Sequence, residues 1–191
     1  MWFGSSFQGG TKASVGMVGK ELRKAALEFI KTLVIAFLLA HFIMVSVAQA
    51  FQVEQYSMEP NLLPHDRVLV NKFIYRFRPP APGEIIVLHP PSDASRNYIK
   101  RVVAVAGQTV RIHEGRVYIN GNTLREPYLR VTTNGDYGPQ AVPPQDVFVL
   151  GDNRGNSEDS RAFGFVPVHN IVGEAVVIYW PPQRLRALFW H

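Results

Sequence analysis

The sequence predicts an all-β domain set behind one apolar helix. Three observations carry that prediction. Thr32 to Phe51 is a stretch of about twenty residues without a formal charge, enough for ~30 Å of helix. The chain after it is written in short runs rich in Val, Ile, Leu and Tyr, cut by Gly and Pro at close intervals. About 140 residues follow the apolar stretch, enough for one compact core.

Met1 to about Gly19 is rich in Gly and Ser without a sustained period, and reads as a flexible tail. From Lys20 the residues favour helix. His41, Ser46 and Gln49 interrupt Thr32–Phe51 only mildly, and no polar face recurs through Leu33–Val47, so the stretch reads as a membrane span. Lys12, Lys20, Arg23, Lys24 and Lys31 precede it and no cation closely follows, which puts the N-terminus in the cytoplasm. The division expected is 1–31 as tail and basic flank, 32–51 as the span, and 52–191 as an extracytoplasmic β-rich domain.

Phe51 to Glu54 alternates as a half-buried strand does, then breaks at Ser57-Met-Glu-Pro60. Ser57 lies within about 22 Å of the end of the span, at ~3.3–3.6 Å per extended residue. Arg67–Lys72, Glu84–His89 and Tyr98–Ala106 read as strands, with proline-rich loops at Pro79–Gly83 and Pro90–Asp93. Val110–His113 and Arg116–Ile119 form a hairpin through Glu114-Gly115, and Asn120-Gly121 is a second tight turn. Arg125–Pro144 is polar and rich in Pro and Gly, and is assigned mostly to loops. Val147–Leu150 and Ile171–Trp180 close the sheet system.

Composition excludes several chemistries. There is no cysteine, hence no disulfide, thiolate zinc site or cysteine nucleophile. No HExxH pair occurs, and in Gly151–Arg161 the cation Arg154 stands where a calcium loop needs an oxygen ligand, so neither a metal nor another cofactor is expected. The formal net charge is +5, but the cations gather before the span rather than on an aromatic-interleaved face, so no nucleic-acid partner is expected.

Ser57 becomes a useful nucleophile only beside a base. Of the six histidines, His41 is in the span and His191 is terminal, while His65, His89, His113 and His169 remain open as bases from the residues alone. A lysine serves when burial lowers its pKa from ~10.4 by up to ~3–5 units. Strand alternation puts Lys100 on one face with Tyr98 and Val102, and Arg101 on the other.

Ser57-Met-Glu-Pro60 behind an apolar segment is followed in order by three further motifs. These are Asp66-Arg-Val-Leu-Val-Asn-Lys-Phe73, Tyr98-Ile-Lys-Arg-Val-Val103, and Gly151-Asp-Asn-Arg-Gly-Asn-Ser-Glu-Asp-Ser-Arg161 with Gly164-Phe-Val-Pro167. From about Phe51 to Trp180 the chain resembles the type I signal peptidases, membrane-anchored proteases with a serine/lysine dyad that remove signal peptides. The resemblance implies an all-β catalytic domain of coiled antiparallel sheets. It implies Ser57 as nucleophile and Lys100 as general base, then as general acid to the leaving amine. Ser157 matches the serine that orients the lysine amine, and Asp159 and Arg161 match a supporting charged pair. Gly151 is expected to allow close backbone approach, and Asp152 to pair with Arg101. The Ser57 backbone N–H is the implied oxyanion donor, and Gln55 stands where some members add a hydroxyl.

By motif position Phe51, Val53 and Ile99 would line the subsite three residues before the cut, and Met58, Leu62 and Tyr98 the one immediately before it. Small residues, as in Ala-x-Ala, would fit there. The implied partners are secretory preproteins, the lipid bilayer and the translocation channel, at the plasma membrane in single-pass topology. A non-catalytic anchored β-domain binding an envelope partner would account for the span and the strands, but not for the Ser57 and Lys100 motifs together. Ala48-Gln49-Ala50 itself resembles a signal-peptide cut site. The long basic flank and apolar run predict that the anchor is nevertheless retained.

Overall fold

The computed structural model describes residues 10–188, with side chains described from Lys20 onward except at 43–46. The chain divides into two units, one ending at Val45 and one beginning at Ser46. Helix α1 (Gly10–Val47) supplies the first. Residues 10–19, expected as tail, are helical, because extending an existing helix adds a hydrogen bond per residue while only starting one is costly. Residues 1–9 lie outside the described residues. Lys20–Phe42 is long and apolar enough to cross a membrane, with mean hydropathy 1.8, and none of it is buried. Phe29, Ile35, Phe37 and Phe42 all stand exposed.

The helix ends at Val47, so Ala48–Phe51, read from the sequence as the end of the span, instead begin strand β1 (Ala48–Gln52). The Lys72 amide donates to the Val47 carbonyl at 2.9 Å, satisfying an acceptor that a helix end leaves open.

The remaining elements are β2 (Arg67–Asn71), β3 (Ile85–Leu88), β4 (Tyr98–Val105), β5 (Thr109–His113), β6 (Arg116–Ile119), β7 (Asn122–Thr123), β8 (Tyr137–Ala141), β9 (Asp146–Leu150), helix α2 (Ser160–Phe163), β10 (Val166–Pro167), β11 (Ile171–Trp180) and β12 (Arg186–Ala187). They form two antiparallel sheets, the all-β class expected. The larger runs β1-β2-β11-β3-β4-β9-β10 with β12 added on β11, and the smaller runs β7-β6-β5-β8. Against β2, β11 shifts register between Ala175 and Val177 and again between Ile178 and Trp180. Such bulges bend and twist a strand. The first part of β11 pairs with β3 and its last part with β12.

Burial follows the two-residue period of the strands. All four residues of β3 are buried, Ile85 and Val87 in one cluster with Val68, Val70 and Ile178, and Ile86 and Leu88 in another with Val102 and Val149. A third cluster joins Val110, Ile112 and Val117 of the small sheet to Phe148 and Leu150 of the large one. The β5–β6 hairpin turns through Glu114 (φ 49°) and Gly115 (φ 77°), the left-handed pair that a two-residue hairpin requires.

Strand β8 lies inside the segment assigned to loops. Its Gly138-Pro139 pair argues against a central strand, but β8 is the edge of its sheet, where proline's missing N–H is tolerated.

Candidate active site

Ser57 is carried by the excursion between β1 and β2. Its base is closed by two hydrogen bonds of 2.8 Å, from Val53 N–H to Asp66 O and from His65 N–H to Val53 O. Within it the amides of Asn61 and Leu62 both donate to the Met58 carbonyl at 2.9 Å, forming a helical turn. Met58 and Leu62 are rooted in the core with Val53, so the residue next to Ser57 is fixed by packing. Ser57 itself is 7% exposed.

Lys100 lies within β4, opposite Ile86 of β3, and its side chain is fully buried. Its Nζ donates to Ser57 Oγ at 2.8 Å and to the Ile99 carbonyl at 3.1 Å, and stands 4.9 Å from the centre of the Tyr98 ring. Burial pushes the Lys100 pKa down to about 8, because a desolvated ammonium is disfavoured; the carboxylates of Asp159, Glu158 and Asp152 oppose the shift only in part. An amine that is often neutral near pH 8 can take a proton from a hydroxyl at this distance. Among the described residues no histidine hydrogen-bonds Ser57. His89 Nδ1 bonds the Arg96 carbonyl, His113 Nδ1 bonds Asp136, His65 is exposed in the turn, and His169 lies in a short 3-10 turn. His191 lies outside the described residues. No group of three or more ligating side chains that could hold a metal occurs among the described residues.

On the opposite face of β4, Arg101 is also buried. Its Nε and NH2 grip Asp152 at 2.8 and 2.6 Å, and its guanidinium stacks 4.0 Å from the Tyr128 ring centre. Asp152 also accepts from Asn61 Nδ2 at 2.8 Å. The segment after β9 therefore touches both platforms. Asn153 N–H donates to the Ser57 carbonyl at 2.9 Å, and its side chain to the Tyr56 carbonyl at 3.2 Å.

Asp159 is fully buried. It accepts from the Gly151 amide at 3.0 Å, caps α2 by accepting from Arg161 N, and pairs with the Arg161 side chain at 2.8 Å. A Cβ at Gly151 would collide with Ser157 Oγ and with the Ser57 carbonyl, so only glycine fits there. Ser157 Oγ is buried and, among the described residues, finds no hydrogen-bond partner; the Lys100 amine does not donate to it.

A groove of about 580 Å³ opens beside Ser57. Phe51, Val53, Met58, Tyr98 and Ile99 line it, whereas Leu62 packs in the core behind the wall. Gln55 lines the same groove and is exposed. The Tyr98 hydroxyl donates to Glu158 at 2.7 Å. Sequence reasoning missed Arg96 and Asn97, which line the groove from the loop before β4. It also missed the fully buried Arg154, which donates to the Gly151 carbonyl at 3.0 Å and pairs with Glu126 at 2.5 Å. A buried cation needs a nearby acid, and the largely covered Glu126 supplies it from a segment read mostly as loop.

A family model described as signal peptidase, peptidase S26, matches residues 26–180. A signal peptidase I of Leptolyngbya laminosa is 43% identical over 169 residues, covering 85% of this chain and 83% of that protein. A probable signal peptidase I-2 of Synechocystis sp. is 43% identical over 168 residues, covering 85% of this chain and 77% of that protein. Among solved structures, a signal peptidase I from Enterococcus faecalis is 31% identical with a TM-score of 0.46, covering 51% of this chain and 97% of that one.

Proposed function

The chain belongs to the S26 signal peptidase family, a family of hydrolases that process signal peptides, and on that premise we propose that Ser57 and Lys100 are its catalytic dyad. One observation carries the proposal: the fully buried Lys100 amine, its pKa lowered to about 8, donates to Ser57 Oγ at 2.8 Å.

Neutral Lys100 takes the Ser57 proton as Oγ attacks the carbonyl before the cut. The Ser57 backbone N–H stabilises the oxyanion, with the Gln55 amide beside the groove as a second donor. Protonated Lys100 then gives its proton to the leaving amine. It next activates the water that hydrolyses the acyl-enzyme. Ser157, whose Oγ is buried and has no partner among the described residues, accepts from the Lys100 ammonium once the proton has moved. Asp159 and Arg161 hold the Gly151 backbone against the Ser57 turn. Phe51, Val53 and Ile99 take the side chain three residues before the cut, and Met58 and Tyr98 the one immediately before it, favouring small residues.

The anchor is the apolar part of α1, in single-pass topology at the plasma membrane. Its N-terminus is cytoplasmic and its β unit extracytoplasmic. The supporting feature is charge: no Lys or Arg occurs between Lys31 and Arg67. Exported preproteins are the substrates, met at the bilayer surface beside the translocation channel.

The test is cleavage of a labelled preprotein by the detergent-solubilised full chain. Ser57→Ala and Lys100→Ala are each expected to lose nearly all turnover while remaining folded. Substantial activity in Lys100→Ala would reject lysine as the base.

A further inference from the structure

The family match ends at residue 180, yet the chain continues through a 3-10 turn (Pro182–Arg184) and β12. This extension reaches back to the turn that carries Ser57. Arg184 Nε and NH2 chelate Asp66 at 2.8 and 2.9 Å, and NH2 also donates to the Asn61 carbonyl at 3.3 Å. Arg186 donates to the same carbonyl. The extension is itself pinned: β12 pairs with β11 at Val177 and Ile178, Leu188 N–H donates to the Val176 carbonyl at 2.9 Å, and Leu188 packs against the core.

We infer that Arg184 is a positioning residue that fixes the Ser57 excursion against the Lys100 strand; the inference rests on Ser57 being the nucleophile. Asp66 closes the base of the excursion through its backbone, and its side chain also accepts from Leu63 N–H at 2.8 Å. The Asp66 side chain is only 2% exposed, whereas that of Arg184 is 30% exposed, so the arginine is the carboxylate's route to charge balance. His65 beside it is a non-glycine residue at φ 72°, a conformation that persists only where its surroundings hold it. From Asn61 the restraint continues: its side chain donates to Asp152, which grips Arg101, the residue after Lys100. Arg184, Asn61, Asp152 and Arg101 thus join the nucleophile's turn to the base's strand without a gap. A bidentate guanidinium fixes an angle as well as a distance, which a point charge does not.

The experiment uses the full chain and a labelled preprotein, with kcat, KM and the melting temperature measured together. Arg184→Gln is expected to lower kcat about tenfold with KM within about twofold, because substrate groups in the groove are untouched. Arg184→Lys is expected to fall between the two. Asp66→Asn combined with Arg184→Gln removes the stranded carboxylate, so the melting temperature is expected to recover while kcat stays low. Recovery of kcat along with the melting temperature would make the pair structural only, and an Arg184→Gln kcat within about twofold of the parent would overturn the inference outright. Ser57→Ala runs alongside. Cleavage by that variant would remove the nucleophile reading itself, whereas an inactive Ser57→Ala beside fully active Arg184 variants would remove only the latch.

Discussion

Lys100 and Arg101 are consecutive cations on β4, both buried, in two opposite pockets. The Arg101 pocket gives its guanidinium a bidentate carboxylate in Asp152 and an aromatic face in Tyr128. The Lys100 pocket gives its amine a hydroxyl, a carbonyl and a ring, and among the described residues Lys100 forms no ion pair. The two pockets ask opposite things of a charge. A structural cation is held by its counter-ion, since a buried charge without one is strongly destabilising. A base is useful only if its charged form is penalised, so its pocket must withhold that counter-ion. One residue's difference in strand position decides which pocket a side chain enters.

The largest expected effect comes from putting Arg101's chemistry into the Lys100 pocket. Lys100→Arg keeps a cation that stays protonated, and turnover is expected to fall at least ~10³-fold in the preprotein assay. Breaking the other pocket acts first on stability. Asp152→Asn removes the buried carboxylate that balances the Arg101 charge, and a loss of about 3–5 kcal/mol is expected in denaturant unfolding. It also removes one of the carboxylates that raise the Lys100 pKa, so the acidic limb of the rate profile is expected to shift to lower pH.

The pH dependence sharpens the comparison further. Rate is expected to rise as pH passes about 8 and Lys100 becomes neutral. A single limb below ~pH 6, flat above it, would point to a histidine or carboxylate base instead. Stability follows the same group. The folded pKa of about 8 lies below the ordinary 10.5, so the unfolded chain binds the proton more tightly. The penalty is therefore full below about pH 8 and fades as pH rises toward 10.5. Lys100→Met is expected to stabilise the inactive protein by up to ~3 kcal/mol at pH 7, with the gain shrinking through that window, as urea titrations at several pH values would show. The smallest effect is Ser157→Ala, expected to lower kcat about tenfold with KM little changed.

Much of this was legible in the sequence because strands expose a simple period. Alternation in Tyr98–Val103 separates Lys100 from Arg101, and the Glu114-Gly115 and Asn120-Gly121 turns mark the β5–β6 and β6–β7 connections. What escaped was non-local or at an edge. Strand β8 carries a proline that only its edge position excuses. Glu126 and Thr133 reach Arg154 from a segment whose composition says loop. Arg184 meets Asp66 across a sequence separation of 118 residues, and no local pattern announces such a pairing. The boundary at Val47 escaped too, because Ala48–Phe51 carry no charge and only their pairing with Leu69–Asn71 and Val68 makes them a strand.

That boundary also governs how the groove relates to the chain's own Ala48-Gln49-Ala50. Ala48-Gln49-Ala50 has the small-x-small spelling that its groove is proposed to read. Yet Ala50 is part of the groove's wall, and all three residues are paired in register with Leu69–Asn71. A wall cannot also be the cargo. For the bond after Ala50 to reach Ser57 in the same molecule, β1 would have to unzip from β2, and the groove would come apart with it. If the groove reads small-x-small, self-recognition within one molecule and an intact groove are mutually exclusive states of β1.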